Sequence, residues 1–226
     1  MCEKEYIMLT KYPSTPYHYL TPGRDPNDKV LNTNEHFLGK TVIITEKMDG
    51  ESFTGYSTGQ THARSLDSQH HFTRDWVKQY WASRGFILPP LWRVCGENVW
   101  AQHSITYDDL ETFFYGYSVW DDQNYCLDWT KTLKVFFDLD IEPVPTLYCG
   151  VYSDDIIKEV WASLDLNKQE GIVIRLESGY NYDDFSKSIC KLVRPNHVQE
   201  YVDPISGEAK HWKYAQIQPN KLKGQQ

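Results

Sequence analysis

The sequence predicts an α+β fold with sheets around a central cleft, and three observations carry that expectation. Short apolar, β-branched runs such as TVIITE and EGIVIR alternate along the chain with stretches of helical period. The strand patterns suit antiparallel pairing at least as well as parallel pairing. The 226 residues contain no internal repeat and no low-complexity segment, a length that allows one large domain or two small ones and a core able to hold a deep pocket.

Each element follows in order. The first forty residues carry Pro13, Pro16, Pro22 and Pro26 with little periodicity, which reads as loop with short strands. KTVIITEKMDGESFTGYS reads as a strand, a tight turn and a second strand. FTRDWVKQYWASRGF spaces Phe72, Trp76 and Tyr80 four residues apart and stops at Gly85, which predicts a short amphipathic helix with a glycine cap. WRVCGENVWA and TFFYGYSVWDD are strands, the second ending in an acidic turn. LDWTKTLKVFFDLD is a helix with Leu133, Phe136 and Phe137 on one side, and DDIIKEVWASLDL a helix capped by Asp154 or Asp155. PVPTLYCG is a short strand, EGIVIRLES a clear one, and ICKLVRP the last, stopped by proline.

Composition narrows the class. Hydrophobic residues at 40% and charged residues at 24% are those of a folded globular chain. No apolar run is long enough to span a membrane, and the N-terminus lacks a secretory pattern, so the expected location is the cytosol. The cysteines, Cys2, Cys95, Cys126, Cys149 and Cys190, are odd in number and widely spread, which predicts reduced, buried thiols. Aromatic residues reach 15%, and a bulky core is the simplest use for them. The net charge of −8 is segregated: Gln60 to Cys95 holds five basic residues against two acidic, Lys187 to the end seven against three, and Ile105 to Asp184 five against seventeen. A basic face able to meet phosphates is therefore compatible with an acidic chain.

The chemistry-bearing residues come in a fixed order. Glu46-Lys47-Met48-Asp49-Gly50 sits at the end of a strand, where a glycine lets a ligand approach the backbone. THARS follows with Arg64, CGEN with Glu97, FFYGYSVW with Tyr117, QEGIVIR with Glu170 and ICKLVRP with Lys191. Taken alone, Lys-x-Asp-Gly is a common turn; five further elements in order are much harder to obtain by chance. This ordered set resembles the motifs of the covalent nucleotidyltransferase superfamily, which contains polynucleotide ligases and mRNA capping enzymes, and within it is most similar to nick-sealing phage RNA ligases and RNA-editing ligases. The resemblance runs from Glu46 to about Arg194.

The resemblance implies a nucleotidyltransferase (adenylation) domain over residues 1–194, with mainly antiparallel sheets and flanking helices around a central ATP cleft. Residues 195–226 would form a short basic tail without room for an OB domain. Lys47 is implied as the nucleophile that takes AMP from ATP. Because only a neutral amine attacks phosphorus, its pKa is expected to be lowered by partial burial, nearby cations and a metal. Glu46, Asp49 and Gly50 would line the nucleotide, with Asp49 equally readable as a turn residue. Arg64 resembles the residue that meets the AMP phosphate or the nucleic-acid end, a pairing with Asp67 being the alternative. Glu97 resembles the carboxylate that binds the ribose or assists the metal, or else forms a structural salt bridge.

Tyr117 aligns with the aromatic that stacks on adenine, Val173 with the side chain on the other face of the base, and Glu170 with the acid that holds Mg or Mn. Lys191 resembles the lysine on the α-phosphate. The usual Lys-x-Lys is here Lys191-Leu192-Val193-Arg194, so the second charge falls to Arg194 or Lys187. The neighbouring His70 and His71, with His62, lack a partner set with zinc spacing. The implied function is an ATP-dependent RNA ligase joining 5′-phosphate and 3′-hydroxyl ends of RNA, or of a duplex containing DNA. A DNA ligase, a GTP-using capping enzyme and an inactive nucleotide- or RNA-binding module are the alternatives.

Overall fold

The computed structural model describes residues 8–22, 28–31, 33–195, 200–202, 209–211 and 217–225. The β-branched run after Gly39 forms β1 (Thr41–Glu46), whose alternation faces two cores: Val42 and Ile44 join one cluster, Ile43 another. After a four-residue turn the chain resumes as β2 (Glu51–Tyr56). These two strands do not pair with each other. β1 lies in a four-stranded sheet with β8 (Thr146–Val151), β9 (Gly171–Leu176) and β11 (Ile189–Val193), in the order β11-β9-β1-β8, with every pairing antiparallel.

β2 starts the second sheet, with β3 (Thr61–His62), β4 (Arg93–Asn98), β5 (Phe114–Trp120), β6 (Tyr125–Cys126) and β10 (Tyr180–Asn181) in the order β10-β6-β5-β4-β2-β3. The short β7 (Glu142–Pro143) pairs with β5 in parallel. Thus the strand, turn and strand form as expected, and the turn at Lys47 carries the chain from one sheet to the other.

Helix α3 (Asp154–Ala162) covers the first sheet through Ile157, against Val42, Ile44, Ile172 and Ile174. Helices α1 (Asp75–Ala82) and α2 (Trp129–Asp138) cover the second, with Val77, Trp81 and Phe136 on Phe53, Val94 and Phe114. A further cluster mixing Ile43 with Val99, Tyr115 and Trp129 joins the two sheets. The single-turn α4 (Phe185–Ser188) leads into β11.

Several local expectations change. Phe137 is 86% exposed, because α2 turns Trp129, Thr132 and Phe136 inward. The cap of α3 is Ser153, whose hydroxyl accepts from the Ile156 amide at 3.2 Å. Asp154 instead accepts from Tyr19, Tyr152 and Asn34, pinning the N-terminal segment to this helix. Gly85 is not a left-handed cap: a Cβ there would lie 2.6 Å from the Trp81 indole nitrogen. Cys95, Cys126 and Cys190 are buried free thiols, whereas Cys149 is exposed on the edge strand β8; Cys2 lies outside the described residues.

Beyond β11 the backbone forms β12 (Glu200–Val202) paired with β13 (Ala209–His211), so ICKLV is not the last strand. Residues 217–225 return to the body, where Asn220 donates to the Val99 carbonyl at 2.7 Å. The rest of the tail, 196–199, 203–208, 212–216 and 226, lies outside the described residues. Among the described residues no helix is long and apolar enough to cross a membrane.

Candidate active site

The crossover from β1 to β2 opens a cavity of about 730 Å³. Of the residues singled out in the sequence, Glu46, Lys47, Asp49, Gly50, Arg64, Glu97, Tyr117, Glu170, Val173 and Lys191 all line it. Strand register explains the convergence. β1 pairs with β9 so that Glu46 faces Ile172, and the Lys47 amide donates to the Gly171 carbonyl at 2.9 Å. Val173 in turn lies opposite Lys191 of β11. On the second sheet, Ser52 lies opposite Glu97, and the Ser52 and Tyr117 hydroxyls are 3.0 Å apart.

Lys47 forms a 2.5 Å ion pair with Glu170, whose side chain is 1% exposed. Burial pulls the Lys47 pKa down, but the carboxylates of Glu170, Glu97 and Asp49 outweigh it and hold the ammonium above the ordinary lysine range. The expected lowering is therefore absent from the protein by itself, because the groups around the amine are acids. Glu97 shows the complementary effect: burial raises its pKa to about 8, with Lys47 opposing and Glu170, Asp49 and Glu51 adding. Burial also raises Glu46, which accepts from the Gln169 amide at 2.7 Å.

Asp49 is a fastening. Its carboxylate accepts from the Ser104 hydroxyl and the Ile105 amide, both at 2.7 Å, while its own amide donates to Tyr107 at 2.9 Å. Gly50 has a steric reason of its own: a Cβ would stand 2.4 Å from the Asn98 carbonyl oxygen of β4. The cleft wall, not a ligand, is what approaches this glycine.

Lys191 sits with its ammonium 4.1 Å from the centre of the Tyr17 ring. Burial lowers its pKa to about 8, helped by the charges of Lys47 and Arg64. Arg64 reaches Ser14 at 3.3 Å; Asp67, its alternative partner, accepts from Ser65 instead. Arg194 does not line the cavity. Its guanidinium donates to the Leu166 and Ser104 carbonyls, each at 3.1 Å, so it braces the loop behind Asp49. Lys187 pairs with Asp184 on the surface and is also outside the cavity.

Sequence reasoning passed over several lining residues. Tyr12, Tyr17 and Lys29 come from the proline-rich start. There the Lys191 amide donates to Pro16 and its carbonyl accepts from the His18 amide, so this segment extends the first sheet beyond β11. Tyr12 meets Tyr117 edge-on at 5.1 Å. His103 lines the cavity, its pKa lowered by burial against the pull of Asp49, Glu51 and Glu170. Arg175 was visible: period-two alternation puts it on the face of Val173. It is buried, donates to the Tyr117 carbonyl at 2.6 Å and lies 5.0 Å from the Trp129 ring.

The acidic set fits a hard divalent cation. Glu170 and Glu97 offer only oxygen donors, as Mg or Mn prefers. Among the described residues no three His, Cys, Asp or Glu side chains form a metal cage.

A family model described as RNA ligase matches residues 40–193, about two thirds of the chain. The chain belongs to the RNA ligase family. Two solved structures share its fold: an archaeal ATP-dependent RNA ligase, at a TM-score of 0.54 and 15% identity, over 82% of this chain and 48% of that one; and a variant of a Naegleria gruberi RNA ligase with AMP and Mn, at a TM-score of 0.52 and 16% identity, over 82% and 56%. This RNA ligase family member thus spans about half the length of the structures it matches. No curated protein matches it. The family match begins at residue 40, so the N-terminal segment that supplies Tyr12, Tyr17 and Lys29 lies outside it.

Proposed function

We propose that the chain is an ATP-dependent RNA ligase that joins 5′-phosphate and 3′-hydroxyl ends through AMP carried on Lys47. One observation carries this reading: the Lys47 amine, Glu170, Glu97 and Lys191 converge on a single cavity that also presents Tyr117 and Val173. In the first step the Nζ–phosphorus bond forms, the bond from the α-phosphorus to pyrophosphate breaks, and the nitrogen loses its proton. AMP then passes to a 5′-phosphate, and a 3′-hydroxyl displaces it. Mg or Mn, held by Glu170 with Glu97, would offset charge on the transferring phosphate and weaken the carboxylate field that keeps Lys47 protonated.

Tyr117 and Val173 are assigned to the two faces of adenine, and Lys191 and Arg64 to phosphates, with Glu46, Asp49 and Gly50 shaping the turn. Residues 1–194 are assigned as the adenylation domain and 195–226 as a short basic tail. Buried free thiols at Cys95, Cys126 and Cys190 support a cytosolic setting.

Incubation with ATP labelled at the α-phosphate and Mg, followed by a denaturing gel, tests the reading. The expected result is a covalent label that is absent in Lys47→Ala and with labelled GTP. No label, or an undiminished label on Lys47→Ala, overturns it. Sealing of an RNA strand but not of a DNA strand then decides the substrate.

A further inference from the structure

Outside the cavity lining three rings line up. His71 stacks on Phe72 with centroids 4.8 Å apart and planes at 27°, and Phe72 meets Trp100 edge-on at 5.9 Å. Phe72 is 52% exposed and belongs to none of the buried clusters, whereas Trp100 is partly buried against the core. One exposed phenylalanine is ordinary. This one is held in place: the buried Asn98 side chain donates to the Thr73 carbonyl at 3.0 Å and accepts from the Trp100 amide at 3.3 Å, stapling both ends of the array to β4.

The array adjoins the chemistry. Arg74, two residues beyond Phe72, grips Glu51 of the cavity lining with contacts of 2.5 and 2.8 Å, and Trp100 follows Glu97 by three residues. The segment from Gln60 to Cys95 that carries His71 and Phe72 is net basic. His71, which has no zinc spacing with its neighbours, thus belongs to an aromatic surface.

We propose that Phe72, backed by His71 and Trp100, is a stacking platform for an unpaired nucleobase of the RNA, so that the preferred substrate has a single-stranded nucleotide beside the join. This rests on the reading that RNA ends enter the adjoining cavity. A flat ring half in water gains apolar contact from any base face, without a sequence code. Bases inside an A-form duplex have their faces covered by neighbours and cannot supply one.

The test uses the full chain and two probes, a short 5′-phosphorylated single-stranded RNA carrying 2-aminopurine at successive positions from its end, and a fully paired nicked duplex. Wild type is expected to quench 2-aminopurine at one position, and Phe72→Ala to lose that quenching with about 5- to 150-fold weaker single-strand binding. Phe72→Trp restores both, Phe72→Leu neither, and duplex binding changes by less than about twofold. Unchanged single-strand affinity in Phe72→Ala, recovery by leucine, or an equal loss on the duplex overturns the platform. So does concentration-dependent self-association that Phe72→Ala abolishes without any quenching, which would assign the rings to a second copy.

Labelling of Lys47 by ATP, run in parallel, separates the two readings. Failure in wild type sinks the ligase assignment and leaves quenching to decide the platform. Failure only in Phe72→Ala places the ring in nucleotide chemistry and overturns the stacking role.

Discussion

Lys47 is surrounded by carboxylates, and that inverts the simplest expectation for a lysine nucleophile. Burial works against the charge on Lys47, but the acids beside it, Glu170 first among them, hold its pKa above the ordinary lysine range. Glu97 records the same crowding from the other side and makes it measurable. Its pKa rises from the ordinary 4.5 to about 8 on folding. Between those values the folded chain holds a proton that the unfolded chain has lost. The contribution is therefore full below pH 4.5 and is lost as pH rises through 8.

In the absence of divalent cation, stability should fall across this window with a slope of up to about 1.4 kcal/mol per pH unit. Urea denaturation at pH 5 and pH 8 should show a smaller drop for Glu97→Gln, and a matching drop in both proteins refutes the assignment. Lys47, Glu97 and Glu170 were legible because each lies at one end of a recognisable strand. The second cation was not. Arg194 lies past the end of β11, and only the path of the chain around Ser104 and Leu166 shows it bracing a loop.

At the scale of elements, strands were easier to read than the faces of helices. β-branched runs mark β1 and β9 directly, whereas Phe137 lies beside a buried phenylalanine in α2 and still points to water. Which of two adjacent aromatics turns inward depends on how the helix is rotated against β5, a tertiary property. The turn between β1 and β2 shows the same limit. Its ends were visible, but pairing partners in two different sheets were not.

Gly50 matters because β4 passes so close. Gly50→Ala forces its Cβ against the Asn98 carbonyl, 2.4 Å away, and should cost about 1–3 kcal/mol by overpacking. It should also slow Lys47 labelling at saturating ATP, because the displaced strand carries the turn with it. A substitution that leaves the urea midpoint and the labelling rate at wild-type values would show that β2 and β4 separate freely.

At the scale of the whole molecule, the cavity belongs to no single sheet. Glu46 and Lys191 come from the first, Glu97 and Tyr117 from the second, and Tyr12 and Tyr17 from a segment preceding both. A ligand bridging these parts stabilises all of them at once. ATP with Mg at about a hundred times its dissociation constant should add about 2.7 kcal/mol, raising Tm by about 5–11 °C in a single transition. Calorimetry on Lys47→Ala separates this from covalent labelling, since that variant should keep a shift although it takes no label. Two transitions, with only one moved by ATP, would show that the sheets unfold independently.

By itself, the sequence determined the mainly antiparallel α+β class, the family resemblance and most of the acids and bases of the cleft. These depend on local strand pattern and on residue types in order, information carried within a few positions of each residue. The tertiary structure decided the pairing of Lys47 with Glu170, the place of Arg194 outside the cavity lining, the recruitment of Tyr12, Tyr17, Lys29 and His103, and the ring array at Phe72. Each of those depends on which distant segments share one low-dielectric space, because burial and Coulomb fields act through space and not along the chain.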